Sequence, residues 1–311
     1  MGLTLALTGG TGFIGRHLLG QPLLSGGSSG LSTVRLLHRR DVEERPHIRP
    51  VRGSMEDETA LRRLVDGADV VVHMAGSIQA RARADFERDN VEATARLARL
   101  AEQGGARRFM LVSSLAATVP QASNYAWSKA EGEKAARSEL RSCSLEILRP
   151  PAIYGPGDRM TLAIFKQMAS GVLLVPRGGM SSFALLHVHD LVALISTLIL
   201  SPQEQDVVEP DDGKAGGYRW EDLADIGKVV AGRPVRVARL PRWVFSVAAA
   251  MCDGLSSFTN AVLPLSRDKL GELCHPRWVG RGDRPSGWRP QVDFVEGARE
   301  TLQWYRQAGW I

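Results

Sequence analysis

Cysteine is scarce in this chain of 311 residues, which has three in all and no CxxC pair. Cys143, Cys252 and Cys274 lie far apart, so we expect neither a disulfide framework nor a cysteine zinc site, and a reducing compartment fits best. Long apolar runs are also missing, since no segment reaches the ~18 uninterrupted apolar residues of a membrane span. No basic region precedes a long apolar stretch at the start of the chain. We therefore expect no secretory leader and a cytoplasmic protein.

Runs of one charge sign are missing as well, since no five consecutive residues carry like charges. The net charge of +5 and the sequence pI of about 9.4 would suit nucleic acid, an anionic membrane surface or a phosphorylated ligand. A surface of scattered arginines explains the same numbers. Because no zinc-finger motif and no basic motif interleaved with aromatics occurs, we expect a small-molecule substrate and no nucleic-acid partner.

Short apolar runs alternate with helical patterns through the first half of the chain. The runs are nearly continuous in hydrophobicity, as in strands buried on both faces of a parallel sheet. They are Leu3–Leu7, Thr33–Leu37, Val70–Met74, Phe109–Ser113 and Leu145–Leu148. Between them lie the expected helices Ile14–Leu24, Glu58–Val65, Asn90–Gln103 and Tyr125–Leu140. The alternation predicts an α/β fold with a Rossmann-like, doubly wound parallel sheet.

The pattern changes after Pro150-Pro151, where Pro, Gly and Trp become more frequent. We expect a dinucleotide-binding domain over residues 1–150 and a smaller, mixed substrate-binding lobe over residues 151–311. The boundary is soft, and the second lobe is expected to share the edge of the sheet.

Three glycines follow the first apolar run in the stretch TGGTGFIG, residues 8–15. In a strand–turn–helix context, Gly9 would make a tight turn, Gly12 would let a pyrophosphate approach the backbone, and Gly15 would let helix pack on strand. The helix N-terminus adds N–H groups and a partial positive charge. The stretch predicts a dinucleotide site that also includes Thr11, Phe13 and Ile14.

The residues after the second strand bear on which dinucleotide binds. An Asp or Glu there would hold the ribose 2′-OH of NAD, but the chain reads His38-Arg39-Arg40 and has no carboxylate before Asp41. A guanidinium can bind a 2′-phosphate bidentately. We therefore predict a preference for NADP(H), with Arg39 as the best single candidate, and keep NAD(H) open. The alternative is a solvated loop of arginines.

A tyrosine and a lysine share one face of the helix predicted to begin at Tyr125. In YAWSK, Tyr125 and Lys129 stand four residues apart. A phenol with a reference pKa of ~10 needs a nearby cation to act near neutrality. Ser113 and Ser114 end the fourth strand, at the carboxyl edge where α/β sheets bind ligands. Together these residues predict acid–base chemistry on a substrate oxygen.

On these residues the chain resembles the short-chain dehydrogenase/reductases, in the extended or atypical branch often named NAD-dependent epimerase/dehydratase. The matching stretches run in the family's order over about the first two-thirds of the chain. They are TGGTGFIG (8–15), HMAG (73–76), DNVEAT (89–94), VSS (112–114), YAWSK (125–129), LRPPAIYGPGD (148–158) and HVHDL (187–191).

The resemblance implies a role for each matching residue. Tyr125 would be the general acid/base, Lys129 would lower its pKa and hold the nicotinamide ribose, and Ser114 would bind the substrate oxygen. Asn90 would be the family's structural asparagine beside the cofactor. The remaining cofactor contacts would come from residues that line the cofactor, namely Ala75, Gly76, Ser113, and Pro150 to Ile153. Ser54 and Met55 would stand near the adenine, although the family's usual Gly-Asp is here Gly53-Ser54.

Two departures from the family argue against some of its reactions. Sugar-nucleotide dehydratases carry Thr-Asp-Glu where this chain has Ser114-Leu115-Ala116. It therefore lacks the acidic pair needed for an elimination. The stretch Phe183–Leu186 is apolar where sugar-nucleotide enzymes tend to carry Arg-Asp. His187 and His189 are expected to be structural, and no third ligand indicates a metal.

Apolar residues recur at helical spacing after Arg239, among them Trp243, Val247 and Met251. Core packing explains this pattern. The alternative is an apolar tunnel or a surface resting on a membrane, with Arg239, Arg242 and Arg267 touching lipid phosphates.

The sequence therefore predicts an NADP(H)-dependent oxidoreductase that acts on a ketone or secondary alcohol. The branch with SSLAA and an apolar second lobe resembles bacterial lipid ketoreductases, including 3-oxo-sphingolipid (ceramide) reductases, and steroid dehydrogenases. The expected substrate is thus hydrophobic. A nucleotide-sugar 4-epimerase with bound NAD, a non-catalytic accessory subunit of respiratory complex I and a membrane-surface module stay as alternatives. A homodimer is left open.

Overall fold

The computed structural model describes residues 2–21, 30–39, 46–201, 206–259 and 266–311. Its strands are β1 (Leu3–Thr8), β2 (Leu31–His38), β3 (Ile48–Arg52), β4 (Val70–His73), β5 (Arg108–Val112), β6 (Ser144–Leu148), β7 (Ala152–Tyr154), β8 (Val172–Pro176), β9 (Ser182–Phe183), β10 (Leu185–His187), β11 (Val207–Val208), β12 (Arg236–Leu240) and β13 (Arg277–Trp278).

The helices of the described chain are α1 (Phe13–Leu19), α2 (Glu58–Val65), α3 (Arg83–Phe86), α4 (Ala93–Gln103), α5 (Asn124–Glu139), α6 (Leu162–Ser170), α7 (Val188–Leu200), α8 (Trp220–Ala231), α9 (Arg242–Thr259), α10 (Arg267–Cys274) and α11 (Phe294–Gln307). A π-helical turn, Glu87–Glu92, joins α3 to α4, and two short 3₁₀ turns precede α5.

One seven-stranded parallel sheet forms the centre of the molecule, in the order β11-β6-β5-β4-β1-β2-β3. The strand order reverses beside β1, where the connections pass from one face of the sheet to the other. This is the Rossmann-like, doubly wound arrangement, and it confirms the predicted fold class. The carboxyl ends of β1, β4 and β5 therefore meet at one edge.

Two apolar cores cover the two faces of this sheet. Leu18 of α1 and the apolar face of α7 pack on one side, and α2, α4 and α5 pack on the other. Because α7 and β11 lie beyond residue 150 and yet complete this unit, the proposed division at residue 150 stays a prediction.

A third core holds the remaining elements together. It is rich in aromatic side chains, which lie on or beside β7, α6, β9, α8 and α11. They are Tyr154, Phe165, Phe183, Tyr218, Trp220, Phe294 and Tyr305. Among the described residues, no helix combines the length and the hydrophobicity needed to cross a bilayer.

Several predicted bounds differ from the structure. The helix expected at Asn90 begins earlier, through α3 and the π-helical turn, and α1 ends at Leu19. The last residues of the helix expected over Ile14–Leu24 lie outside the described residues. The strands β3 and β11 carry no clean apolar pattern: Arg49 and Arg52 interrupt the first, and the second has two residues.

Candidate active site

The turn after β1 packs against the end of β4 with no room for side chains. Gly9 has a φ of +76°, and a Cβ there would lie 2.6 Å from the backbone N of Ala75. A Cβ on Gly15 would overlap the backbone of Gly9 and Gly10. The turn therefore requires glycine at both positions.

The first turn of α1 fits the pyrophosphate of a dinucleotide. Gly12 is the N-cap, and no acidic residue follows it in the first turn. The helix leaves the N–H groups of Phe13, Ile14 and Gly15 without helical partners, and Thr11 and Gly12 are exposed beside them. Backbone N–H groups at a helix N-terminus bind phosphate well.

Tyr125 and Ser114 meet at the carboxyl edge of the sheet. Ser123 caps α5 by accepting from Ala126 N (2.9 Å), which places Tyr125 in the first turn. Burial raises the pKa of Tyr125 to about 12, a hydrogen bond from Ser114 lowers it, and the negative charge of Glu272 raises it. The phenol is therefore protonated at neutral pH and stands beside a serine hydroxyl.

Lys129 lies one turn further along α5. Its Nζ donates to the carbonyl oxygen of Val112 (2.9 Å), at the end of β5. Burial lowers the pKa of Lys129 to about 8, and the charge of Glu133 opposes this. The ammonium thus stays charged near neutrality, on the same helix face as Tyr125.

The two serines of the Ser-Ser pair point to different partners. Ser113 Oγ donates to Glu133 Oε1 (2.5 Å), and Arg149 donates to both oxygens of the same carboxylate (3.0 and 2.6 Å). Ser113 therefore belongs to a buried ionic network, and its side chain has a partner other than a cofactor. Ser114 is the serine that reaches Tyr125.

Asn90 links the glycine-rich end of β4 to the catalytic helix. Its side chain accepts from Ser77 N (2.8 Å) and donates to Ser77 O (2.8 Å) and to Ser128 Oγ (2.9 Å). A Cβ on Gly76 would lie 2.7 Å from Asn90 Oδ1. The Asn90 amide therefore holds Ser77 at the sheet edge, where Ala75 N also donates to Thr8 Oγ1 (3.3 Å).

His73 is a buried residue of the site whose role the sequence did not reveal. Thr8 Oγ1 contacts its Nδ1 (2.7 Å) and Thr94 Oγ1 contacts its Nε2 (3.0 Å). Burial lowers the pKa of His73 to about 3, with a further contribution from the positive charge of Lys129. The neutral imidazole thus joins β1, β4 and α4 beneath the site. The only sequence signal was its place in HMAG.

The end of β2 holds the residues predicted to select the cofactor. His38 is buried and its carbonyl accepts from Gly53 N (3.0 Å), whereas Arg39 is exposed. Arg40 lies outside the described residues. The exposed guanidinium at this edge is therefore open to an anionic ligand.

Ser54 and Met55 follow β3 beside this end of β2. Ser54 Oγ accepts from Glu56 N (3.2 Å), and the Met55 carbonyl accepts from Arg96 (2.8 Å). Both residues are partly buried. They shape the edge of the sheet on the side where an adenine would lie.

Pro150 and Ile153 lie on the opposite side of the site. The Pro150 carbonyl accepts from Leu115 N (2.9 Å), and Ile153 of β7 packs against the first core. They bring the segment after β6 next to the Ser114 turn, where the resemblance places the nicotinamide.

His187 and His189 do have a third neighbour, contrary to the expectation from the sequence. Ligand atoms of these two residues and of Glu300 lie within 4.8 Å of one another. His189 N donates to His187 Nδ1 (3.4 Å), and His187 Nε2 faces Glu300 Oε2 at 3.6 Å without a hydrogen-bond partner among the described residues. Burial lowers the pKa of His187 to about 3, so its imidazole is neutral at physiological pH.

The glycine-rich turn follows the first strand of a doubly wound sheet, and Tyr125, Lys129 and Ser114 lie at the carboxyl edge of the same sheet. This combination defines a dinucleotide-dependent enzyme. The chain belongs to the NAD dependent epimerase/dehydratase family, which matches residues 5–210. The family resemblance drawn from the sequence is confirmed, and the chain is an NAD(P)-dependent oxidoreductase of the extended short-chain dehydrogenase/reductases.

The chain is similar in sequence or in fold to three known proteins. A ceramide reductase of Caulobacter vibrioides (strain NA1000 / CB15N) is 38% identical over 99% of this chain and 96% of its own length. The mitochondrial NADH dehydrogenase [ubiquinone] 1 alpha subcomplex subunit 9 of Dictyostelium discoideum is 27% identical over 94% of this chain and 75% of its own. The structure of MoeE5 in complex with UDP-glucuronic acid and NAD superposes with a TM-score of 0.71 at 20% identity, over 99% of this chain and 100% of that one.

Proposed function

We propose that the protein reduces a ketone on a hydrophobic, lipid-like substrate with NADPH, and that a 3-oxo-sphingolipid of the ceramide type is that substrate. The observation that carries the proposal is the pairing of a protonated Tyr125 with Ser114 at the cofactor edge. The 38% identity with a ceramide reductase over nearly the whole chain supports the substrate class.

Each residue of the site has a separate role in the proposed reduction. When bound, the nicotinamide supplies the hydride. Ser114 donates a hydrogen bond to the carbonyl oxygen, and Tyr125 gives that oxygen its proton. Lys129, fixed on the Val112 carbonyl, stabilises the phenolate that remains. In the reductive direction the protonated phenol is the group that gives the carbonyl oxygen its proton.

Apolar residues stand at the positions where a dehydratase would need acids. Leu115 and Ala116 are buried directly after Ser114, and neither can take up or release a proton. Phe183 and Leu185 are buried in the stretch where the sequence resemblance gave sugar-nucleotide enzymes a polar pair. Both features favour an apolar substrate over a nucleotide sugar.

An exposed apolar stripe on α9 supports a position at a membrane surface. Trp243, Val247 and Met251 follow one another at four-residue spacing and are 67%, 52% and 71% exposed. Arg242 begins the helix and is exposed beside them. Such a helix face suits the interface of an anionic bilayer, from which a lipid substrate would be drawn. A homodimer stays a prediction.

The test is an assay of the purified protein with NADPH and a 3-oxo-ceramide in detergent micelles. We expect NADPH oxidation that is lost, by about a hundredfold or more, in Tyr125→Phe. A parallel assay offers a UDP-hexose with NAD⁺. Turnover of the nucleotide sugar without net redox change, and none of the ketolipid, would replace the proposal by the epimerase. Cofactor binding without turnover in either assay would favour a non-catalytic accessory role.

A further inference from the structure

Helix α10 docks on the N-terminal end of the catalytic helix α5. Asp268 Oδ1 accepts from Asn124 N (2.7 Å), and Glu272 Oε1 accepts from Ser123 Oγ (2.7 Å). A Cβ on Gly271 would overlap the carbonyl of Ala122, so the two backbones are in direct contact. Two carboxylates at a helix N-terminus complement its partial positive charge.

The same helix places a charge pair against Tyr125. Lys269 Nζ binds Glu272 Oε2 (2.5 Å) and lies 5.4 Å from the centre of the Tyr125 ring. The lysine side chain is 33% exposed and the glutamate 13%. Phe86 of α3 lies 6.1 Å from the same ring. The pair is thus partly shielded from solvent, the glutamate more than the lysine.

We propose that Lys269 and Glu272 are positioning residues of the active site, which hold the first turn of α5 and set the charge that Tyr125 experiences. Neither residue belongs to the motifs that carry the family resemblance. This inference rests on the proposed function in one respect, namely the assignment of Tyr125 as the acid. It makes α10, an element of the second lobe, part of the catalytic machinery of the first.

The charged groups around Tyr125 act in opposite directions. The charge of Glu272 raises the pKa of Tyr125, whereas a cation as close as Lys269, 5.4 Å from the ring centre, favours the phenolate. Lys129 is the further cation on the same helix as Tyr125. Asp268 is engaged with the backbone of Asn124, Ser114 contributes a hydrogen bond, and Phe86 carries no charge. Removing the charge of Glu272 should therefore lower the pKa of Tyr125. Removing that of Lys269 should raise it, since Glu272 then has no counterion.

Titration of the tyrosine itself tests this without any substrate. The chain has four tyrosines, so protein labelled with 3-fluorotyrosine should give four ¹⁹F signals, and Tyr125→Phe identifies the one of interest. Burial also raises the pKa values of Tyr154, Tyr218 and Tyr305, and the spectrum of Tyr125→Phe separates the Tyr125 titration from theirs.

We expect Glu272→Gln and Lys269→Met to displace this titration by about half a pH unit or more, in opposite directions. Lys269→Arg should restore the wild-type value, because it keeps the charge. Glu131→Gln and Lys134→Met are matched controls, since Lys134 and Glu131 form an exposed pair at the same spacing on α5. Circular dichroism and the ¹⁹F spectrum below the titration confirm that each variant is folded.

A displacement of the same sign in both variants, or none in either, would overturn the proposal. If the titration moves as expected but no ketolipid is turned over, the positioning role stands and the proposed substrate is wrong. If ketolipid reduction is present, the high-pH limb of kcat/KM should follow the ¹⁹F titration in each variant. A purely structural role would lower kcat at every pH and leave that limb in place.

Discussion

At the scale of single residues, the proposed preference for NADPH rests on a few side chains at the end of β2. Arg39 is exposed there, next to the buried His38. A 2′-phosphate would gain a charge-assisted contact from its guanidinium, whereas a ribose 2′-OH would find no carboxylate in the sequence before Asp41. We therefore propose Arg39 as the residue whose removal would separate the two dinucleotides.

We expect Arg39→Ala to weaken NADPH binding by at least about tenfold, or ~1.4 kcal/mol, and to leave NADH binding nearly unchanged. Titrations followed by tryptophan fluorescence measure both. Arg107→Ala is the control, because Arg107 is an exposed arginine at the amino-terminal edge of the sheet. Tighter binding of NADH by the wild type would refute the NADPH preference.

The residues that the sequence picked out and those that it missed differ in how they act. Tyr125, Lys129 and the glycines stand in short motifs whose spacing follows from helix and turn geometry. His73 contacts side chains that are 21 and 65 residues away in the sequence, and Glu133 contacts side chains that are 16 and 20 residues away. No local period encodes such contacts. The same is true of Glu300, a residue of α11 that lies beside His187.

At the scale of elements, the apolar runs predicted β1, β2, β4, β5 and β6, and periodicity failed where the helix geometry changes. The π-helical turn Glu87–Glu92 has a different repeat from the α-helices on either side, so a 3.6-residue pattern placed the helix start at Asn90. The turn has a function in the site, since it carries Asn90 toward Ser77 and Ser128.

The contact between this turn and α5 gives a prediction about one glycine. A Cβ on Gly132 would lie 2.6 Å from the carbonyl oxygen of Asn90, so Gly132→Ala must separate the two elements. We expect a loss of about 1–3 kcal/mol in the free energy of unfolding, measured by urea denaturation, together with reduced activity.

The control for that experiment is Gly20→Ala at the end of α1. Gly20 has a φ of −82°, and the nearest atom to a Cβ there lies 3.4 Å away, so this variant should unfold close to the wild-type midpoint. Equal stability of Gly132→Ala and wild type would show that α5 and the π-helical turn can accommodate an added methyl group at this contact.

At the scale of the whole molecule, the parallel sheet carries the candidate cofactor site, and a second region supplies the apolar surface that we propose meets lipid. The sheet draws β11 and α7 from beyond residue 150, a pairing between distant segments that composition alone could not locate. The apolar repeat after Arg239 was compatible with core packing, and only the fold shows that Trp243, Val247 and Met251 face outward.

The outward stripe predicts that the intact protein binds anionic vesicles. Replacing both Trp243 and Met251 by serine removes the two most exposed large apolar side chains in the described part of α9, and we expect at least about tenfold weaker cosedimentation with phosphatidylglycerol vesicles. Activity on a short-chain, soluble ketone should be unchanged, because the stripe is not part of the cofactor edge. Leu200→Ser is the control, since Leu200 is 44% exposed at the end of α7. Equal vesicle binding by the wild type, the double variant and Leu200→Ser would show that the stripe does not bind the membrane. Light scattering would then test whether the stripe binds a second copy of the chain.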